Sequence, residues 1–156
     1  MPTIAIIGTL DTKGEEFRFL KEEVERRGVR ALVIHAGTLG EPLFAPDVGA
    51  DEVARAGGES LAALRTRGDR GHAVSVMAAG VAALAPQLHR EGQLEGVISL
   101  GGSAGASIGT AAMRALPIGV PKVMITTLAS GNTRPYVDIA DVTMMYPVVD
   151  IGPLNP

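Results

Sequence analysis

The 156-residue chain has no cysteine and no tryptophan. The first absence removes disulfides, thiolate metal sites and thiol catalysis together, and it fits a reducing compartment. Aromatic residues supply only 3% of the chain, although hydrophobic residues make up 46%. The core must therefore be built from Ala, Val, Ile and Leu, the usual filling between helices and a parallel sheet. There is no excess of basic charge either. A formal net charge of −3 gives no general field for nucleic acid or an anionic membrane, so neither is expected as a partner. Any anion must be held by local dipoles and a few well-placed side chains. The first apolar run, Ile4 to Ile7, is too short for a signal peptide or a membrane span and lacks a basic lead-in, which makes the cytoplasm the expected location.

Short apolar runs alternate with helical patterns. Ile4-Ala5-Ile6-Ile7 ends at Gly8, and Phe17, Leu20 and Val24 then recur at helical spacing until Gly28. Ala31-Leu32-Val33-Ile34 follows, completing a right-handed βαβ unit. Gly37 to Asp51 reads as a long loop. Asp51 is expected to cap a short helix to Ala56, a second helical piece spans 59–65, and a longer helix spans 71–90, where Pro86 predicts a kink or a break. Val97 to Leu100 is a strand, Ala106 to Leu116 a helix, Pro121 to Thr127 a strand, and Val142 to Tyr146 a fifth. This order defines an α/β fold: Rossmann-like, doubly wound, three-layered, with a mainly parallel sheet of about five strands. The length suits one domain over residues 1–156, a Rossmann-like nucleotide-binding subdomain that is either the N-terminal part of a longer protein or paired with a second subdomain. The tail 150–156 closes without a helix and either docks on a partner or is bland.

In open parallel sheets ligands bind beyond the carboxyl ends of the strands, where the strand order reverses. Three glycine-bearing polar segments fall at such ends. Gly101-Gly102-Ser103-Ala104-Gly105 lets a ligand approach the backbone, and the following helix offers unpaired N–H groups and a positive dipole end. A tight strand–helix turn alone is the plainer account. Gly109, one helical turn on, is expected to permit close helix–sheet packing. On the first loop, Gly8, Thr9, Asp11, Thr12 and Lys13 offer hydroxyls, a carboxylate and an ammonium. Asp11 or Thr12 can serve as a helix cap, but Lys13 lies where the helix dipole favours negative charge, a conflict that an anionic ligand resolves. At the fourth strand's end, Thr126, Thr127, Ser130, Gly131 and Asn132 suit either phosphate or ribose contacts or ordinary turn chemistry. His35, ending the second strand, is either near a ribose or base or a half-buried packing residue.

Several familiar sites are disfavoured. No Walker motif and no Gly-x-Gly-x-x-Gly follows the first strand. A serine hydrolase at Ser103 would need a histidine partner that the sequence does not supply, and His72 and His89 lack metal-ligand spacing, so no metal site is assigned.

Three segments together carry a family resemblance: Ile7 to Lys13, Gly96 to Gly105, and Leu116 to Gly131, with the closing Val148-Val149-Asp150-Ile151. They resemble the tomato mosaic virus resistance protein-like ATP-binding domain family, whose bacterial relatives are uncharacterised. The resemblance implies ATP as the ligand and continuation into a second α/β subdomain; in the resulting site Gly101 to Gly105 cradle the phosphates, Lys13 and Thr12 add contacts, and Asp11 reaches a nucleotide-borne Mg²⁺ through water. It gives no ground for expecting an antiviral interaction. Two other functions stay open: one wall of the active site of an enzyme acting on a small phosphorylated or carboxylated substrate, with Asp11 the only candidate base, and a homo-oligomeric assembly module using the small apolar face from Ala73 to Leu84.

Overall fold

The computed structural model describes residues 1–147. Five parallel strands form one sheet: β1 (Thr3–Gly8), β2 (Arg30–His35), β3 (Gly96–Leu100), β4 (Lys122–Ile125) and β5 (Thr143–Met145), in the order β2-β1-β3-β4-β5. Helices α1 (Gly14–Arg26), α2 (Ala50–Ala56), α3 (Leu61–Arg67), α4 (Arg70–Arg90), α5 (Ser103–Ala115) and α6 (Arg134–Val137) fill the connections. The fold is the expected three-layer, Rossmann-like α/β arrangement. The proposed closing segment 148–151 and the tail 150–156 lie outside the described residues.

Alternation along the strands sorts the core into two faces. Ala5, Ile7, Leu32, Ile34, Val97 and Met124 join residues of α2, α3, α4 and α5 on one side. Ile6, Ala31 and Val33 meet Phe17, Leu20 and Val24 of α1 on the other. The chain steps from β1 to β2 in one direction and from β3 onward in the other, so β1 and β3 flank the switch point.

Glycines set two of the closest approaches. A Cβ on Gly8 would overlap the Phe17 ring, which is fully buried under the first loop. A Cβ on Gly80 of α4 would collide with the Val53 carbonyl of α2. That obstacle is backbone and cannot rotate away. Gly80→Ala is therefore expected to destabilise the domain by about 2 kcal/mol, as overpacking typically does, despite alanine's better helix propensity. Urea unfolding of the two proteins measures it; an unchanged or raised midpoint refutes this packing account.

Some helix boundaries differ from expectation. Gly49, not Asp51, is the N-cap of α2, and Asp51 sits in its first turn. α3 begins after Ser60, whose side chain accepts from the Ala63 amide, and so runs two residues later than expected at both ends. Asp69 caps α4 by accepting from the His72 amide, and no break occurs at Pro86. The proline removes only the donor for the Ala82 carbonyl, and the packing of Val76, Met77, Val81 and Ala85 against the core holds the helix through it. α4 is long and apolar enough in composition to cross a membrane. Here it is a layer helix, with Ala73, Val76, Met77, Gly80 and Val81 buried. The face expected to serve assembly is thus largely turned inward.

Candidate functional site

The loops after β1, β2 and β3 meet beside the switch point and enclose a cleft of about 250 Å³. Thr9, Asp11, Thr12 and Lys13 line it from the first loop, Ala36 to Leu39 from the second, and Gly101 to Gly105 from the third. Arg70, Ala73, Val74 and Met77 of α4 and Ile108 of α5 close the remaining side.

The third loop is tight because a Cβ on Gly101 would stand 3.0 Å from the Gly105 Cα. α5 begins at Ser103, three residues earlier than expected, with Gly102 as its N-cap and no side-chain cap. Its first turn contains no acidic residue. Gly101 to Gly105 line the cleft and Ser103 is exposed, so this helix end lies at the cleft and not in the core. Behind them the helix lies close on the sheet: a Cβ on Gly109 would sit 2.5 Å from the Ser99 Oγ, as expected of that glycine.

Lys13 occupies the N-cap position of α1 through its backbone and makes no side-chain cap. Neither Asp11 nor Thr12 caps that helix. Thr12 donates its hydroxyl to Thr9 Oγ1 at 2.9 Å. Asp11 Oδ2 accepts from the Leu39 and Gly40 amides at 2.9 and 3.1 Å. Its Oδ1 is buried without a partner, beneath Gly37, where a Cβ would overlap it. The carboxylate thus tethers the second loop. Arg65 grips the same segment from outside, donating to the Thr38 and Gly40 carbonyls at 3.0 and 3.2 Å. Among the described residues, neither Lys13 nor Arg70 has an ion-pair partner. Two free cations, a hydroxyl pair and an uncapped helix end therefore face one small space. Arg70 carries no motif; only the capping Asp69 before it marks its position at the start of α4.

His35 is fully buried, not half-buried. Its Nδ1 accepts from the Leu10 amide at 3.2 Å and the Gly37 amide at 3.3 Å. Burial is the main influence on the imidazole and holds its pKa below the usual value.

The third candidate segment lies elsewhere. Thr126 Oγ1 accepts from the Leu128 amide, Ser130 donates its hydroxyl to the Thr127 carbonyl, and Asn132 Oδ1 accepts from the Arg134 amide. Thr126, Thr127, Ser130 and Gly131 are absent from the cleft lining, as is Gly8. No cluster of three or more His, Asp or Glu side chains suited to a metal ion occurs among the described residues. Asp11, with one oxygen tethering a loop and the other buried, is a poor match for the Mg²⁺ contact.

Fold and cleft together define the class: a doubly wound α/β domain with a part-apolar, cation-bearing cleft at its switch point. The chain belongs to a family described as Uncharacterised protein family (UPF0261) N-terminal domain, whose model matches residues 2–156. It is 52% identical to a UPF0261 protein of Clostridium tetani (strain Massachusetts / E88), over 97% of this chain and 38% of that protein. It is 42% identical to a UPF0261 protein of Rhizobium meliloti (strain 1021), over 99% of this chain and again 38% of the relative. A ToMV resistance protein of Solanum lycopersicum is 33% identical over 99% of this chain and 22% of its own length. The chain thus spans well under half the length of these curated relatives.

Proposed function

We propose that this domain binds a nucleotide by its phosphates, with ATP as the ligand that the resemblance of its loops implies. The observation that carries the proposal is the uncapped start of α5 opening onto a cleft that also holds unpaired Lys13 and Arg70. Helix-end amides and free cations favour a polyanion, and each contributes a charge-assisted hydrogen bond. Thr9 and Thr12 add hydroxyls. The about 250 Å³ of the cleft is below the roughly 300–1,000 Å³ of a whole small-molecule site. It therefore takes the phosphate end and leaves the nucleoside beyond its rim. A cytoplasmic location, where nucleoside triphosphates are at hand, goes with this reading.

Titration calorimetry with ATP, ADP and AMP tests it. Affinity is expected to fall as phosphates are removed. Gly102→Val serves as the steric probe: a Cβ there meets no atom within 4 Å, so the fold tolerates it while the side chain crowds the helix end. About tenfold weaker ATP binding is expected, one lost hydrogen bond to a charged group. Equal affinity of wild type and variant would remove the site from the cleft.

A further inference from the structure

We propose that His35 is the positioning residue of the cleft and a pH-sensitive latch: its neutral ring ties the loop after β1 to the loop after β2, and protonation releases the second loop at Gly37. The inference concerns regulation of the proposed nucleotide site, and its ligand-binding arm rests on that reading.

The geometry dictates the protonation state. A ring nitrogen that accepts two backbone N–H groups carries no proton of its own, so the neutral ring holds its hydrogen on Nε2. That nitrogen is buried and has no partner. Adding a proton at Nδ1 brings three donors together with no acceptor among them, and both loop contacts are lost at once. The freed backbone belongs to the cleft itself, since Ala36 and Gly37 line it.

Every charged group near the ring bears on this equilibrium. Burial opposes the charge most, and Arg65 of α3 opposes it too. Asp11 from the first loop, the Gly8 carbonyl and Glu41 from the second loop favour it. Burial prevails, so the folded ring titrates below its ordinary 6.5. The sign follows: the latch is fully closed above pH 6.5, the unfolded chain takes up the proton first on acidification, and stability declines as pH falls through the folded value. Once the folded ring itself protonates, the wall opens. Asp11 still holds Leu39 and Gly40 in that state, so the opening is local.

Amide and imidazole NMR shifts of the whole chain between pH 7.5 and 5.0, with far-UV circular dichroism alongside, test the latch. In the wild type, the Leu10 and Gly37 amides are expected to titrate with the His35 ring, at one midpoint below 6.5, while the helical signal persists. His35→Gln supplies an acceptor oxygen that does not titrate, so in that variant these amides stay still. The ratio of wild-type to variant ATP affinity, in which the ligand's own titration cancels, should fall by up to about tenfold per pH unit below the midpoint. Wild-type amides that do not move, or that move equally in His35→Gln, overturn the latch. If the variant fails to fold, the wild-type titration still decides. Amides that titrate in a protein that never binds ATP would uphold the latch and reject the nucleotide.

Discussion

With Lys13→Ala and Arg70→Ala combined, ATP binding is expected to weaken about a hundredfold, roughly tenfold for each charge-assisted contact removed. Both side chains reach the cleft from different elements, the N-cap position of α1 and the first residue of α4. Their effects should therefore add where each grips a different phosphate of the ligand. Neither cation is deeply buried, so the loss should shrink as salt rises and the wild-type contacts are screened. Lys21→Ala is the control, because Lys21 is paired with Glu25 on the far surface of α1. Calorimetry at two ionic strengths decides the matter. A double variant that binds as tightly as Lys21→Ala would end the phosphate assignment.

The largest effect on stability is expected away from the cleft, at Lys122. This lysine begins β4 with a side chain that is 0% exposed. Its ammonium donates to the Pro117 carbonyl at 2.8 Å, the Val120 carbonyl at 2.9 Å and Asp141 Oδ1 at 2.6 Å. Asp141 in turn accepts from the Gly119 amide. The cation thus joins the turn before β4 to the segment before β5. Lys122→Met keeps the length of the side chain but leaves two carbonyls and a carboxylate without their donor. Losing the two hydrogen bonds of the charged ammonium to these carbonyls costs about 3 kcal/mol, roughly 1.5 for each, while Asp141 stays hydrated. The Lys122 ammonium and the Gly119 amide hold the Asp141 carboxyl below its usual pKa. Its stabilising contribution is present above that usual value and is lost as pH falls through the folded one. Wild type should therefore lose part of its advantage over Lys122→Met in strong acid. Denaturant unfolding at neutral and acid pH checks both statements, and equal midpoints at neutral pH would show the pair to be energetically silent.

The strands were legible in the sequence because parallel strands buried on both faces appear as short, continuous aliphatic runs, as Ile4 to Ile7 and Ala31 to Ile34 do. The start of α5 was not, since Ser103 and Gly105 are weak helix formers and helical geometry there follows from the tight turn at Gly101. The cleft was partly legible. Its lining loops announce themselves by glycine and hydroxyl content, and the family to which they point was recognisable. The place of Arg70 was hidden, because only the order β2-β1-β3 brings the start of α4 beside the start of α5. The same order explains the segment after β4. Its composition matches the other two loops, but β4 stands one strand beyond the switch point, and its polar side chains close local turns. Asp11 shows a further limit. Sequence places it at a helix entrance, where capping is the local expectation, while its actual partners are amides 28 and 29 residues away.

The segment Thr38–Gly40 is anchored from both sides through main-chain groups, its amides by Asp11 and its carbonyls by Arg65. Nothing in that anchorage depends on which side chains the segment bears. Leu39, 72% exposed at the rim, is thereby free to be exchanged in evolution without loosening the scaffold. Homologues that keep Asp11 and Arg65 would then share one rim shape while differing in the molecule they admit.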